Sequence, residues 1–256
     1  MDKTSSTITV VKIGGHVIDD EAALNEFLKK FALIPGLKVL VHGGGKVATT
    51  KAKQLGIPQT MIEGRRVTDV ETLKIIVEVY RALNQKIVAI LQSLGVSATG
   101  VSGTDSETIC SRKRSIIPID YGFVGDIESV SLARFEKLID EGFIPVVAPL
   151  TQDVNSQVLN TNADSIATAV AVALSKKYKT SLFYVFEKKG VLLDVSDESS
   201  YIPELNFNLY QQLRAEKKIF EGMIPKLDNS FLSIRSGVSE VLIGKVGEAG
   251  TRIVYE

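Results

Sequence analysis

Twice near its start the chain passes from a β-branched stretch into a glycine cluster and then into an amphipathic stretch. Ile8-Thr9-Val10-Val11-Lys12-Ile13 ends in Gly14-Gly15, and Asp19 or Asp20 then opens a helical pattern that lasts to Phe31 and breaks at Pro35-Gly36. Val39-Leu40-Val41 ends in Gly43-Gly44-Gly45, and a second helical stretch follows to Gly56. Strand, glycine turn and helix in succession predict βαβ units, hence an α/β fold with a mainly parallel sheet covered by helices on both faces.

Further along, Asp69 to Leu94 is the longest helical pattern, capped by Thr68 or Asp69 and ended by Gly95. Its apolar set (Val70, Leu73, Ile76, Val77, Tyr80, Leu83, Ile87, Ile90, Leu91 and Leu94, flanked by Ile75, Val79 and Val88) is wider than one sheet contact needs. The helix is therefore expected to pack on two sides. From Gly100 to Val130 short strands and turns suggest hairpins. Helix and strand then alternate again: helices over 131–141, 164–177, 209–217 and 226–236, strands over 143–148, 182–186, 240–243 and 252–255. No linker or internal repeat divides the 256 residues, so a single interleaved domain, 1–256, is expected.

Composition excludes several function classes. Lys plus Arg equals Asp plus Glu at 30 each, which argues against a nucleic-acid or anionic-membrane partner. The single cysteine, Cys110, supports neither a disulfide framework nor a cysteine-rich zinc site. Met1-Asp2-Lys3-Thr4-Ser5-Ser6 has no apolar segment, and no later apolar run reaches membrane-spanning length, so a cytoplasmic location is expected.

Glycines after a strand let backbone N–H groups approach a phosphate or carboxylate, and the following helix N-terminus adds its dipole. A tight turn alone needs a glycine but seldom three. The P-loop pattern fails, because Gly45-Lys46 is followed by Val47. Gly43-x-Gly45-x-x-Ala48 fits a loosened dinucleotide fingerprint, with Glu63 about 20 residues on, and a dinucleotide-binding protein is the competing reading. Lys12 inside an apolar strand demands a counter-charge or an edge position. Lys226, after Gly222-Met223-Ile224-Pro225, opens a helix whose dipole disfavours a cation, a small argument for an anionic partner. Asn160-Thr161-Asn162-Ala163-Asp164 is a polar run leading a helix apolar enough to be buried, and capping explains only part of it. His16 and His42 flank the glycine clusters without any catalytic-triad or metal-ligand spacing, and read as structural or ligand-edge residues.

Taken together, Val11-Lys12-Ile13-Gly14-Gly15, Val41-His42-Gly43-Gly44-Gly45, Gly64-Arg65-Arg66-Val67-Thr68-Asp69, the Asn160–Asp164 run, Gly222-Met223-Ile224-Pro225-Lys226 and Gly250-Thr251-Arg252-Ile253 resemble the amino acid kinase family. Within it they resemble the enzymes that phosphorylate N-acetyl-L-glutamate in arginine biosynthesis. The resemblance runs nearly end to end, and the shared order of its pieces makes it specific. It implies a three-layer αβα sandwich, an acylglutamate-binding and dimerising N-half (about 1–175), and a nucleotide-binding C-half (about 176–256). It further implies Lys12, Lys226 and Asp164 as the catalytic set, and Gly44, Gly45, Arg66 and Asn160 around the acyl amino acid. Gly14, Gly15, Glu187, Lys188, Gly190 and Phe220 fall on the nucleotide side. ATP would arrive with Mg²⁺ and without dedicated protein metal ligands.

Where the family commonly reads Thr/Ser-Asp-Val-x-Gly-Val, this chain has Phe186-Glu187-Lys188-Lys189-Gly190-Val191. An N-succinylglutamate substrate is the alternative on the same fold, prompted by Arg65 where the family often has Leu. Strand alternation argues that Arg65 points away if Arg66 points in. A regulatory amino-acid sensor is a further alternative, opposed by the presence of both lysines and Asp164, and a PII-type partner has no readable signature. The resemblance implies a homodimer through helix 69–94. About seven residues precede the first strand, too few for the N-terminal helix that hexameric, arginine-inhibited relatives carry.

Overall fold

The computed structural model describes residues 6–62, 65–105, 108–194, 196–219 and 223–255. The chain opens with β1 (Thr7–Ile13), a single turn α1 (His16–Asp19), and α2 (Glu21–Ala32), whose first turn is capped by the Asp20 carboxylate accepting from the Ala23 N–H. β2 (Leu37–His42) leads through the second glycine cluster into α3 (Gly45–Gln54). The chain then forms a two-stranded antiparallel ribbon, β3 (Met61–Ile62) with β4 (Arg65–Arg66), before α4 (Val70–Ser93). Asp69 caps α4 by accepting from the Thr72 N–H.

After α4 come β5 (Ala98–Val101), β6 (Ile109–Lys113), β7 (Gly125–Val130), α5 (Leu132–Asp140), β8 (Ile144–Val147), β9 (Leu150–Gln152) and β10 (Val158–Asn160). The C-terminal part contains α6 (Ala163–Leu174), β11 (Lys179–Val185), β12 (Glu204–Leu205), α7 (Phe207–Ala215), α8 (Ile224–Arg235), β13 (Glu240–Gly244) and β14 (Thr251–Ile253). Eight strands form the main sheet in the order β12-β14-β13-β11-β1-β2-β8-β5, antiparallel only between β13 and β14. A four-stranded sheet, β10-β9-β6-β7, stands beside it.

Period-two alternation sorts the side chains of β1 between the two faces. Ile8 and Val10 pack with Ile166 and Val170 of α6 and with Leu227 and Phe231 of α8. Val11 and Ile13 pack with Leu24, Leu28 and Phe31 of α2 and with Ile87 and Leu91 of α4. A parallel sheet buried on both faces explains why β1 and β2 read as nearly continuous apolar runs. Lys12 continues the 8-10-12 series and so falls on the α6 face. Among the described residues, no helix is long and apolar enough to cross a membrane.

Two sequence expectations change in the structure, and the two-sided packing of the long helix is met within the chain. The hairpin region begins only at β6, because β5 joins the main sheet parallel to β8. The broad stripe of α4 is absorbed within the chain, with Ile87 and Leu91 under the sheet and Ile75, Ile76, Val79 and Tyr80 clustered with Ala48 and Ala52 of α3. Finally, the dinucleotide fingerprint needs a parallel strand after α3 to carry its acidic residue. The chain instead enters the β3–β4 ribbon, and β2 is flanked by β1 and β8. Glu63 itself lies outside the described residues.

Candidate active site

Three charged groups meet at the C-terminal end of the central strands. Lys12 comes from β1, Asp164 from the first turn of α6, and Lys226 from the first turn of α8. Asp164 reaches them because Asn162, not Asp164, caps α6, its side chain accepting from the Ser165 N–H. That leaves the Asp164 side chain free to turn toward the sheet. Its Oδ1 lies 2.8 Å from Lys12 Nζ, an ion pair without hydrogen-bond alignment, and its Oδ2 accepts from Lys226 Nζ at 3.0 Å.

Burial alone would raise the Asp164 carboxyl, but the two flanking ammonium groups hold it well below the usual carboxylate range. Lys226 is buried and lowered to about 8, chiefly by desolvation, with Asp164 opposing the shift and Lys12 adding to it. Two cations share one anion. The cluster therefore keeps one uncompensated positive charge in a largely buried place, where an anion is the natural partner.

Glycine is required around this cluster for space. A Cβ on Gly14 would stand 2.7 Å from Lys12 Nζ, so the ammonium occupies the volume that any other residue would take. Gly44 has φ +147°, outside the range side-chain-bearing residues favour, and lies against Tyr80 and Leu83.

Lys12, Gly14, Gly15, Gly44, Gly45, Arg66, Asn160 and Asp164 all line one cavity of roughly 210 Å³. Such a volume is below the roughly 300–1,000 Å³ typical of drug-sized ligands, which suits a small metabolite better than a dinucleotide. Arg66 is buried in its wall, donating to Gly45 O and Thr49 Oγ1, both at 2.8 Å, and to Gln59 Oε1. Among the described residues its partners are neutral, so the guanidinium charge is not balanced by a carboxylate. Asn160 donates to Thr68 Oγ1 at 3.0 Å, which fixes its amide at the end of β10.

Arg65 also lines the cavity and, on its other side, a groove between β7 and the helices α6 and α8. The expectation that it points away from the pocket is corrected here. A two-residue ribbon has no sheet behind it to give Arg65 an outer face remote from the site.

Of the expected nucleotide-side residues, Gly14 and Gly15 line the cavity and the other described ones do not. Glu187 is exposed and Lys188 half-buried just beyond the end of β11, with Lys188 Nζ 3.8 Å from Glu198. Gly190 packs on Thr251, where a Cβ would come within 2.4 Å of the hydroxyl oxygen. None of these three lines the cavity, although β11 adjoins β1 and its end opens beside Lys12. Phe220 and Gly222 lie outside the described residues.

Several participants carried no sequence signal. Tyr184 faces Lys12 across the β1–β11 ladder and lies beneath Lys226, whose Nζ is 4.7 Å from the ring centroid. Its hydroxyl shares a 2.7 Å hydrogen bond with Thr168. Tyr80, Met61, Val124 and Pro149 also line the cavity. Only the adjacency of β1 and β11, distant in sequence, brings Tyr184 there.

Known proteins resemble this chain over nearly its whole length. The family model described as "Amino acid kinase family" matches residues 7–245. A protein of Bacteroides fragilis named acetylglutamate kinase is 50% identical, the match covering 98% of each chain. One of the same name from Archaeoglobus fulgidus is 35% identical over 93% of this chain and 85% of its own. Among solved structures, the smu.665 protein of Streptococcus mutans UA159 superposes with a TM-score of 0.84 at 27% identity, covering 97% of this chain and 99% of that one. Carbamate kinase from Giardia lamblia bound to AMP-PNP, at 10% identity and TM-score 0.66, covers 100% of both chains and shares the fold. With a family model matched from the first strand to beyond β13, and half of all residues kept across a full-length relative, this chain belongs to the amino acid kinase family.

Proposed function

We propose that this protein transfers the γ-phosphoryl group of ATP to the side-chain carboxylate of N-acetyl-L-glutamate, giving ADP and N-acetyl-L-glutamyl 5-phosphate, a step of arginine biosynthesis. The relatives named acetylglutamate kinase, at about half identity over the full chain, support the substrate. The observation that carries the chemistry is the Lys12–Asp164–Lys226 cluster with its residual positive charge.

A carboxylate nucleophile is already ionised at neutral pH, so the reaction needs no general base. Its difficulty is to bring an anion up to a polyanion and to stabilise charge on the transferring phosphoryl group. Lys12 and Lys226 straddle that group, and Asp164 holds both ammoniums in place while limiting their repulsion. N–H groups of Gly14, Gly15, Gly44 and Gly45 meet the phosphate and the reacting carboxylate. Arg66 takes the α-carboxylate as a bidentate fork and Asn160 takes the acylamino end.

In this reading residues up to about 175 hold the acyl amino acid. The nucleotide sits on the C-half beside the ends of β11 and β13, near Glu187, Lys188 and Gly190. Mg²⁺ enters as the counter-ion of ATP. Its location is the cytoplasm. The assembly is a homodimer through helix 69–94. The breadth of the apolar stripe no longer supports that assembly, because the chain itself covers most of it. What supports it is that Val70 and Leu94, at the two ends of α4, are exposed at 53% and 38%. Light scattering on a sizing column decides it, a monomer or hexamer counting against the dimer.

Arg65 on the cavity wall favours a second reading, in which the acyl group carries its own carboxylate, as in N-succinyl-L-glutamate. Incubation with ATP, Mg²⁺ and each acylglutamate, with hydroxylamine trapping of the acyl phosphate, tests both. ADP release that depends on an acylglutamate is expected. Its absence with both substrates would overturn the proposed reaction.

A further inference from the structure

The Gly43–Gly45 loop is held from behind by a buried chain of polar groups that the mechanism above does not use. His42, fully buried at the end of β2, has Nδ1 2.7 Å from the carbonyl oxygen of Gly43 and Nε2 3.1 Å from Nδ2 of Asn84. The same Asn84 nitrogen donates to Val146 O at 2.8 Å. An amide nitrogen is only a donor, so His42 Nε2 is the acceptor and the proton must reside on Nδ1. Every hydrogen bond then runs one way: Asn84 donates to Val146 O and to His42, and His42 donates to Gly43 O. Burial lowers His42 to about 4, so the ring stays neutral and takes no part in proton transfer at working pH.

This chain fixes a direction. The Gly43 N–H donates to Ile13 O at 2.8 Å, so β1 and His42 pin both sides of this glycine. Across a trans peptide the carbonyl and the following N–H point opposite ways. With the Gly43 carbonyl drawn inward to His42, the Gly44 N–H faces outward, toward the cavity that Gly44 lines. Among the described residues that N–H donates to no acceptor, so it is available to an anion.

We infer that His42, oriented by Asn84, is a positioning residue that holds the Gly44 N–H on the transferring phosphoryl group. The inference rests on the proposed phosphoryl transfer at this site. A preorganised N–H acts on charge as it develops, so its loss shows in turnover more than in substrate binding.

Two variants and one spectrum test it. His42→Leu removes the donor, whereas His42→Asn places an amide N–H at the same δ position. His42→Leu is expected to lower kcat by roughly a hundredfold with KM for the acylglutamate within about threefold, the size expected for one oriented donor. His42→Asn should recover kcat to within about tenfold of wild type. Equal kcat loss in the two variants, or no loss in either, would overturn the inference. Should either variant fail to fold, ¹⁵N NMR of wild-type protein labelled at histidine still decides the network. A protonated Nδ1 and bare Nε2 at pH 7 are expected, and the opposite tautomer would sink it. That spectrum needs no substrate, so it stands apart from a failure of the kinase assay, which would count against the reaction instead.

Discussion

The Lys226 ammonium lies over the face of the Tyr184 ring, 4.7 Å from its centroid, while Asp164 holds it from the side. An aromatic face offsets part of the cost of burying a cation, by about 2 kcal/mol where the pair is desolvated. The Tyr184 hydroxyl is tied into α6 through Thr168, so the ring cannot swing away. Tyr184→Phe keeps the face and loses two hydrogen bonds, to Thr168 and to the Asp164 carbonyl oxygen, costing about 1–3 kcal/mol of stability. It should leave kcat within a few-fold of wild type. Tyr184→Leu should cost roughly thirtyfold in kcat, the kinetic equivalent of the lost cation–π contact. Steady-state kinetics beside thermal melts separates the two. Equal kcat for both variants would remove the ring from the mechanism.

Alkaline pH should titrate Lys226 out of its working form. Burial, aided by the positive Lys12 and opposed by Asp164, lowers its ammonium to about 8. The charged form is the active one, so kcat/KM, which reports the free enzyme, is expected to fall as pH rises through about 8. Bound nucleotide adds negative charge and favours the ammonium, so kcat should hold to higher pH. Lys226→Arg, always protonated, should lose most activity and with it the alkaline limb. A profile flat to pH 10 in wild type would contradict the assignment.

Gly14→Ala probes the packing of the other lysine. The new methyl carbon would meet Lys12 Nζ at 2.7 Å, and the flexible end of that side chain can move aside without disturbing the fold. The melting temperature should change little. A displacement of the ammonium by about 1 Å is expected to cost about a hundredfold in kcat. Wild-type turnover in this variant would show that the position of Lys12 does not matter.

For Arg66→Lys the loss should fall on substrate binding. The guanidinium is already positioned by Gly45, Thr49 and Gln59, and a lysine cannot reproduce its fork toward a carboxylate. A lost charged hydrogen bond of about 1.5–3 kcal/mol predicts a KM for the acyl amino acid higher by roughly 10–150-fold, with the ATP KM unchanged. Movement of the ATP KM alone would mean that the two halves of the site are assigned the wrong way round.

How much of this was legible beforehand follows from the range of each interaction. The strand–glycine–helix units, the Asp20 and Asp69 caps and the burial of β1 are local, and period and turn chemistry express them directly. Lys12 was conspicuous because a cation in an apolar strand needs a partner, yet its partner lies on α6, far along the chain. Tyr184 and Asn84 gave no signal, and His42 read only as a structural or ligand-edge residue, since their partners depend on which strands and helices become neighbours. The width of the α4 stripe was correctly read as two contacts, both of which proved to lie within the chain.

Arg65 offers the test of the acyl group. Alternation along a strand argues that neighbours face apart, yet Arg65 and Arg66 both line the cavity, because β4 is only two residues long and stands at the cavity's rim. Arg66 is the buried member and suits the α-carboxylate that every acylglutamate carries. Arg65 is half-buried between the cavity and the groove beside β7. A succinyl group would bring a further carboxylate there. Comparing kcat/KM for N-acetylglutamate and N-succinylglutamate in wild type and Arg65→Leu isolates that contact. If Arg65 reads the extra carboxylate, the substitution should selectively lower the succinyl substrate by about 1.5–3 kcal/mol, roughly 10–150-fold, and leave the acetyl substrate within a few-fold. Equal effects on both substrates would dismiss a role for Arg65 in acyl selection and leave acetylglutamate as the substrate that the relatives support.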